Sequence, residues 1–380
     1  MESRKETSVD LGYPGADVEL SHLQNYRLSQ PLESLAMRRC FLNRIFGSQT
    51  GGTGTSILPA TDAGYDSYFS RYVVLCRLAA NKHRGIEEVD HGQMASIITI
   101  LHDRSLTKRA VVERCRGIIK DTVPLTYTDG SLNLVDMVLT DVAAEMWLML
   151  TVGRFPGDIS YDEPVWWEMD ETQDMLLEKH FSSTNHSEDS VKLPQSFTAA
   201  QLEQIAGIEV AWTSNLADHL LLKDDDTKLM LFHQVSILQL HFSSMTSTLP
   251  KSLINETIRS VSLLIPPILG EPNPWFQQQR RKYRIDAGAG ICDRLNSSER
   301  QIDKFLYWRD RLVLLKRTFD DAEPRNIKQL WFDDRKKTQW FTFWVAVLVF
   351  IMTVFFGVIQ SVAGIVQAWA SVQSLNSSNG

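Results

Sequence analysis

The chain predicts a mainly α protein: a helical cytosolic domain with a small β-hairpin element, followed by a single C-terminal transmembrane helix. Three observations carry that expectation. Residues 341–359, FTFWVAVLVFIMTVFFGVI, are an almost unbroken apolar run. Upstream of it, segment after segment sets apolar residues three and four apart, the spacing of one helix face. Only HLLLK and KLMLFH, which flank Asp224, Asp225, Asp226 and Thr227, read as two strands around a turn.

Residues 1–60 are expected as a flexible N-terminal segment. The opening MESRKETSVDLGYPGADVEL is too polar for a signal peptide, and SQTGGTGTS lacks the Gly-Lys-Ser/Thr ending of a phosphate loop. A helical subdomain follows over 61–180. SYFSRYVVLCRLAA, GQMASIITILHD and LTKRAVVERCRGIIK each have helical periodicity, and SLNLVDMVLTDVAAEMWLMLTVG reads as a longer helix. Its polar Asn133, Asp136 and Thr140 share one stripe, so most of its surface is expected to be buried. PVWWEMDETQDMLLEKHF is acidic, and residues 181–196 read as a linker.

A second helical subdomain containing the hairpin spans 197–325. Thr198 is a candidate N-cap for FTAAQLEQIAG, and IEVAWT alternates like a strand. Helices resume in QVSILQLHFSS and SLINETIRSVSLLIP. The last, SERQIDKFLYWRDRLVLLKRTFDDA, offers Ile302, Phe305, Leu306, Leu312, Val313 and Phe319 as its apolar face, and Pro324 ends it. Residues 326–370 make up a juxtamembrane segment and the transmembrane helix, and 371–380 a short lumenal or exterior tail.

The 19-residue run is long enough to cross a hydrocarbon core. Trp340 and Trp344 stand at one end and Trp369 at the other, where amphipathic rings prefer the interface. Trp344 and Trp369 would lie about 37 Å apart along a helix. Arg325, Lys328, Arg335, Lys336 and Lys337 precede the run and no basic residue follows it. The positive-inside rule therefore puts the large domain in the cytosol, with Arg335, Lys336 and Lys337 setting topology and touching anionic headgroups. A span so placed is expected to insert after translation, as a tail anchor. Gly357, Ser361, Gly364 and Ala368 fall on one helix face bordered by Gln360 and Gln367. Small residues so arranged allow close helix approach, so a homo-oligomer through this helix is an expected partner state beside the lipid bilayer.

Composition bounds the rest. Over 380 residues, 43% hydrophobic and 22% charged describes a globular chain. A net charge of -7 without a basic stripe argues against nucleic acid. Cys40, Cys76, Cys115 and Cys292 are scattered, as reduced cytosolic thiols are.

Three stretches carry a resemblance. LEQIAGIEVAWTSNLADHLLLKDDDTKLMLFH, DKFLYWRDRLVLLKRTFDDAEPR and QLWFDDRKKTQWFTFWVAVLVFIMTVFFGVIQS resemble a large group of filamentous-fungal membrane proteins, over roughly residues 130 to 370. The runs from Gln339 to Val345 and from Asn215 to Leu220 are the specific markers. That family has no established activity, so the resemblance implies architecture and a fungal source rather than chemistry. Its commonest members carry an acidic residue and a tyrosine in the final tail, where this chain reads QAWASVQSLNSSNG.

No catalytic, cofactor-binding or metal residues are expected. Asp218 and His219 with Asp224, Asp225 and Asp226 are the one compact set of potential ligands, but a calcium loop needs alternating oxygens, a central glycine and a closing glutamate. A solvated hairpin tip is the expectation. His233 and His241 are eight residues apart, which gives no ligand pair on adjacent turns. Nucleophile-elbow, zinc-protease and kinase motifs do not occur. The expected function is a membrane-anchored interaction or scaffold protein that meets cytosolic proteins at a bilayer. One alternative is an oligomeric ion-transport subunit similar to CorA-type magnesium channels, with Phe-Gly-Val-Ile-Gln in place of their Gly-Met-Asn. The other is a membrane-tethered accessory enzyme of a fungal pathway.

Overall fold

A computed structural model describes residues 23–47, 64–123, 134–153, 163–182, 191–268, 270–322 and 337–378. They fall into two compact units, one within 1–203 and 208–321, the other within 204–207 and 322–380. The chain is mainly α, with one small sheet and a C-terminal apolar helix.

The first unit begins with α1 (Leu35–Phe46), α2 (Asp66–Lys82), α3 (His91–Ile100), α4 (Lys108–Ile119), α5 (Leu134–Leu148) and α6 (Gln173–His180). Local sequence sets their starts. The Asp90 carboxylate accepts from Gln93 N at 2.7 Å while Gln93 Oε1 accepts from Asp90 N at 3.1 Å, a reciprocal cap on α3. Thr107 and Thr172 cap α4 and α6 with their hydroxyl oxygens.

Helix α5 is the axis of this unit. Most of it is buried, Asp136 and Thr140 of the polar stripe included, while Leu134 is exposed. Each of three acids on it meets a base from a flanking helix. Arg71 of α2 pairs with Glu145 at 2.7 Å, and Lys108 and Arg116 of α4 pair with Asp141 at 2.7 Å and Asp136 at 3.6 Å. A charge taken out of water without such a partner costs several kcal/mol. The acids thus fix which helices can lie beside α5.

Part of the expected flexible segment is corrected here. Within residues 1–60, helix α1 buries Cys40, Phe41, Leu42, Ile45 and Phe46. Phe41 packs 5.0 Å from Tyr72, and Phe46 packs 5.3 Å from Trp147 and 4.8 Å from His241. Its apolar residues had core surface to cover. Residues from both sides of the 181–196 stretch share this core: Leu216 N donates to Met149 O at 2.7 Å, and Ser244 Oγ to Phe46 O at 3.1 Å.

The sheet comprises β1 (Glu209–Thr213), β2 (Leu222–Lys223) and β3 (Lys228–Phe232), in the order β1-β3-β2. The hairpin pairs Leu222 with Leu229 antiparallel, while β1 runs parallel to β3, Glu209 opposite Lys228. Asp224, Asp225 and Asp226 at the tip all have positive φ, 54, 53 and 61°, a region aspartate enters more readily than most residues. Thr227 Oγ1 and Lys228 Nζ both bond back to Asp224.

Helices α7 (Val235–Ser243), α8 (Lys251–Leu264), α9 (Pro274–Lys282) and α10 (Arg309–Asp321) complete the unit. The long helix expected over 298–322 is broken. The Glu256 carboxylate of α8 accepts from the backbone N–H groups of Leu306, Tyr307 and Trp308, each at 2.8 Å. These donors at the start of α10 are satisfied by α8 rather than by a preceding turn. Of the expected apolar face, Ile302, Phe305, Leu312 and Phe319 are buried, whereas Leu306 and Val313 stay exposed. The second unit holds α11 (Lys337–Ser378), 42 residues long. Asn133, Pro324, Arg325, Lys328, Arg335 and Lys336 lie outside the described residues.

Glu145→Ala leaves Arg71 without its counter-charge. Its unfolding free energy, measured by urea titration of the full chain in mild detergent, falls by about 3–5 kcal/mol. Lys228→Ala, at the solvated hairpin, loses at most about 1 kcal/mol.

Candidate membrane anchor

Residues 341–370 of α11 contain no Asp, Glu, Lys or Arg and are rich in Val, Ile and Phe, which are middling helix formers in water. In hydrocarbon the preference changes, because every backbone N–H and C=O must find a partner within the segment, and the helix supplies one. The 30-residue stretch Phe341–Ala370 is long and apolar enough to cross a membrane, and none of it is buried inside the structure. Phe350, Ile365 and Trp369 are each about two-thirds exposed, at 68, 69 and 66%. In the first unit, by contrast, rings such as Trp147, Phe41 and Phe276 are fully buried. Two hydroxyls in the span are satisfied within the helix: Thr353 Oγ1 donates to Val349 O at 2.8 Å and Ser361 Oγ to Gly357 O at 2.9 Å. That leaves neither hydroxyl proton in need of water.

Gly357, Ser361, Gly364 and Ala368 are exposed on α11. A Cβ built on either glycine meets nothing within 4 Å, so internal packing does not demand them. Trp344 stacks edge-on with Phe343, ring centroids 5.5 Å apart, and Trp369 projects from the far part of the helix. Lys337 and Trp340 sit in its first turn. Arg335 and Lys336 are outside the described residues.

The polar groups of the first unit hold the fold. His219 is fully buried. Its Nδ1 accepts from Phe232 N at 3.3 Å, so Nε2 carries the proton and donates it to Ser260 Oγ at 2.7 Å. Ser260 in turn donates to Thr257 O at 2.7 Å, which leaves it no role as a nucleophile. Neighbouring Asp218 points elsewhere, accepting from Glu163 N at 3.2 Å and facing Lys223 Nζ at 3.5 Å. Asp224, Asp225 and Asp226 are exposed, so the sequence cluster does not converge. His233 Nδ1 accepts from Asp286 N at 3.4 Å, and His241 bonds Ser247 Oγ at 3.0 Å beside Trp147. No group of three or more potential metal ligands occurs among the described residues.

One buried clasp goes beyond the sequence reading. Asp286 takes Ser236 N and Oγ at 2.6 and 2.7 Å and Gly288 N at 2.8 Å, tying the start of α7 to the turn after α9. A Cβ on Gly64 or Gly288 would come within 2.5 Å of Ser236 Oγ, so both glycines are required by this approach. The Asp-Ala-Gly-Ala-Gly run was its only sequence signal. Burial pushes the Asp286 carboxyl up to about 6.

No protein-family model, curated protein or solved structure matches this chain.

Buried histidines give the domain a pH dependence. Burial lowers His91 and His233 to about 4 and His241 to about 3, and drives His219 well below its ordinary value. Each is protonated more easily in the unfolded chain, so its stabilising contribution is complete above about pH 6.5 and is lost as pH falls. Asp286 acts in the opposite sense: its contribution is complete below about pH 4 and is lost as pH rises through about 6. Burial also raises Asp90, Asp136, Asp141, Asp218 and Glu256, by less than Asp286, so the deeply buried histidines set the sign between pH 7 and 5. Tm measured in neutral detergent falls from pH 7 to pH 5, with about 2 kcal/mol lost per buried histidine at pH 5. A flat or rising Tm over that range contradicts the assignment.

Proposed function

We propose that this protein is a single-pass membrane-anchored interaction module whose helical domain works on the cytosolic side of a bilayer. The observation that carries the reading is Phe341–Ala370: thirty predominantly apolar, uncharged residues in one helix, none of them buried inside the structure. The basic residues Arg325, Lys328, Arg335, Lys336 and Lys337 all precede this stretch, which supports the cytosolic side by the positive-inside rule. In this reading Arg335, Lys336 and Lys337 also meet anionic headgroups, worth about 1 kcal/mol each.

An interaction role fits the chemistry of the domain. The buried His219, His233 and Asp286 are engaged in structural hydrogen bonds rather than gathered at an opening. Tethering then contributes through concentration: a module confined to a surface meets co-localised proteins far more often than a free one.

Two experiments test this. Val349→Arg with Phe356→Arg places two charges mid-span, at about 2.5–3.5 kcal/mol each on insertion scales. The variant leaves the membrane pellet, and cross-linking in cells loses at least about tenfold of the wild-type protein adducts. Equal adduct yields from both proteins contradict an anchored interaction module. For orientation, Asn255 and Asn296 stand in Asn-x-Ser/Thr sequences and are exposed. Both stay unglycosylated, while an acceptor sequence appended after Gly380 is modified; the reverse pattern contradicts the cytosolic placement.

A further inference from the structure

The apolar stretch is too long for the bilayer it is proposed to cross. Its 30 residues, all within one continuous helix, extend about 45 Å at 1.5 Å per residue. The hydrocarbon core is about 30 Å thick. To hide the whole length the helix would have to lean by nearly 50°, beyond the range of about 0–40° seen for membrane helices. Some of the stretch must therefore leave the hydrocarbon.

The sequence changes character at the point where that exit falls. From Phe341 to Ile359 the residues are apolar around the whole circumference apart from Thr342, Thr353 and Gly357. Beyond Ile359 the two sides differ. At 100° per residue Val362, Ile365, Val366 and Trp369 lie within an arc of about 100°, while Gln360, Gly364 and Gln367 lie within about 60° on the opposite side. All seven are exposed on α11. Such a division suits a boundary between lipid and water, with an apolar side that enters the acyl region and a polar side that meets headgroups and solvent.

We infer that residues 360–370 form an interfacial collar, continuous with the span, whose Val362, Ile365, Val366 and Trp369 side rests on the bilayer while the Gln360, Gly364 and Gln367 side faces water. The inference rests on the anchor reading and adds a direction to it. The helix leans toward its Val362–Trp369 side, because that lean alone sinks the apolar side chains and lifts the glutamines. The ligand is the lipid interface itself. Trp369 then sits at headgroup depth, where an indole ring is favoured.

Single cysteines introduced along α11 test the geometry in native membranes. The background is low, because Cys40, Cys76, Cys115 and Cys292 are all buried. Burial also pushes Cys76, Cys115 and Cys292 up to about 12, which keeps them as unreactive thiols. A polar maleimide is added to vesicles opened by brief sonication, with Val349→Cys as the in-span control. Gln360→Cys, Gly364→Cys and Gln367→Cys label at least about tenfold faster than Val362→Cys, Ile365→Cys and Val366→Cys, which match the control. Equal labelling of the two sets overturns the collar, whether all are protected within hydrocarbon or all are open to water. Protection of the glutamine side alone also overturns it, and assigns that side to a second copy of the helix. Rapid labelling of Val349→Cys overturns the anchor reading itself, so the two failures are distinguishable.

Discussion

Apolar surface without a partner is the constraint on which the account of this protein depends. Helix α11 leaves Phe350, Ile365, Trp369 and their neighbours exposed, and none of the Phe341–Ala370 stretch is buried. Burying one large apolar side chain is worth about 1.5–3 kcal/mol, so a run of this length represents tens of kcal/mol left ungained in water. Soluble monomers rarely expose patches of more than a few hundred Å². Lipid removes the penalty, and it also rewards the helical form, since the backbone there must satisfy itself. Thr353 and Ser361 turn their hydroxyls onto their own helix, which is compatible with that setting.

The first unit obeys a different rule. Its core encloses charge as well as hydrocarbon, and α5 is the clearest case: Asp136, Asp141 and Glu145 each need a base from α2 or α4. Such pairs contribute little net stability compared with a well-packed apolar core. Their effect is to penalise any arrangement in which a partner is missing. Glu256 and Asp286 do similar work elsewhere, one capping α10 and the other fastening α7.

What could be read from the sequence follows from the range of the forces involved. The apolar run at 341–359 needed only its own composition. The hairpin was legible because its strands and the Asp224–Thr227 turn are neighbours in the chain, and the cap at Thr198 acts within three residues. The parallel pairing of β1 with β3 was not legible, since it skips over β2, the strand between them in the chain. Helix α1 was missed because its burial depends on Tyr72, Trp147 and His241, far along the chain. The break before α10 depends on Glu256, some fifty residues upstream. Likewise the stripe holding Asp136 and Thr140 could be recognised as polar, but only Arg116 in place shows that it is interior. At the candidate site both the run and its continuation toward Trp369 were plain in the sequence, and the structure carries them in one unbroken helix.

Alkaline carbonate extraction of the full-length protein from native membranes addresses the central claim most directly, because it strips proteins held by surface contacts and leaves those that cross the bilayer. The account predicts that the intact chain stays in the membrane pellet. Recovery of the intact chain in the soluble fraction would contradict it.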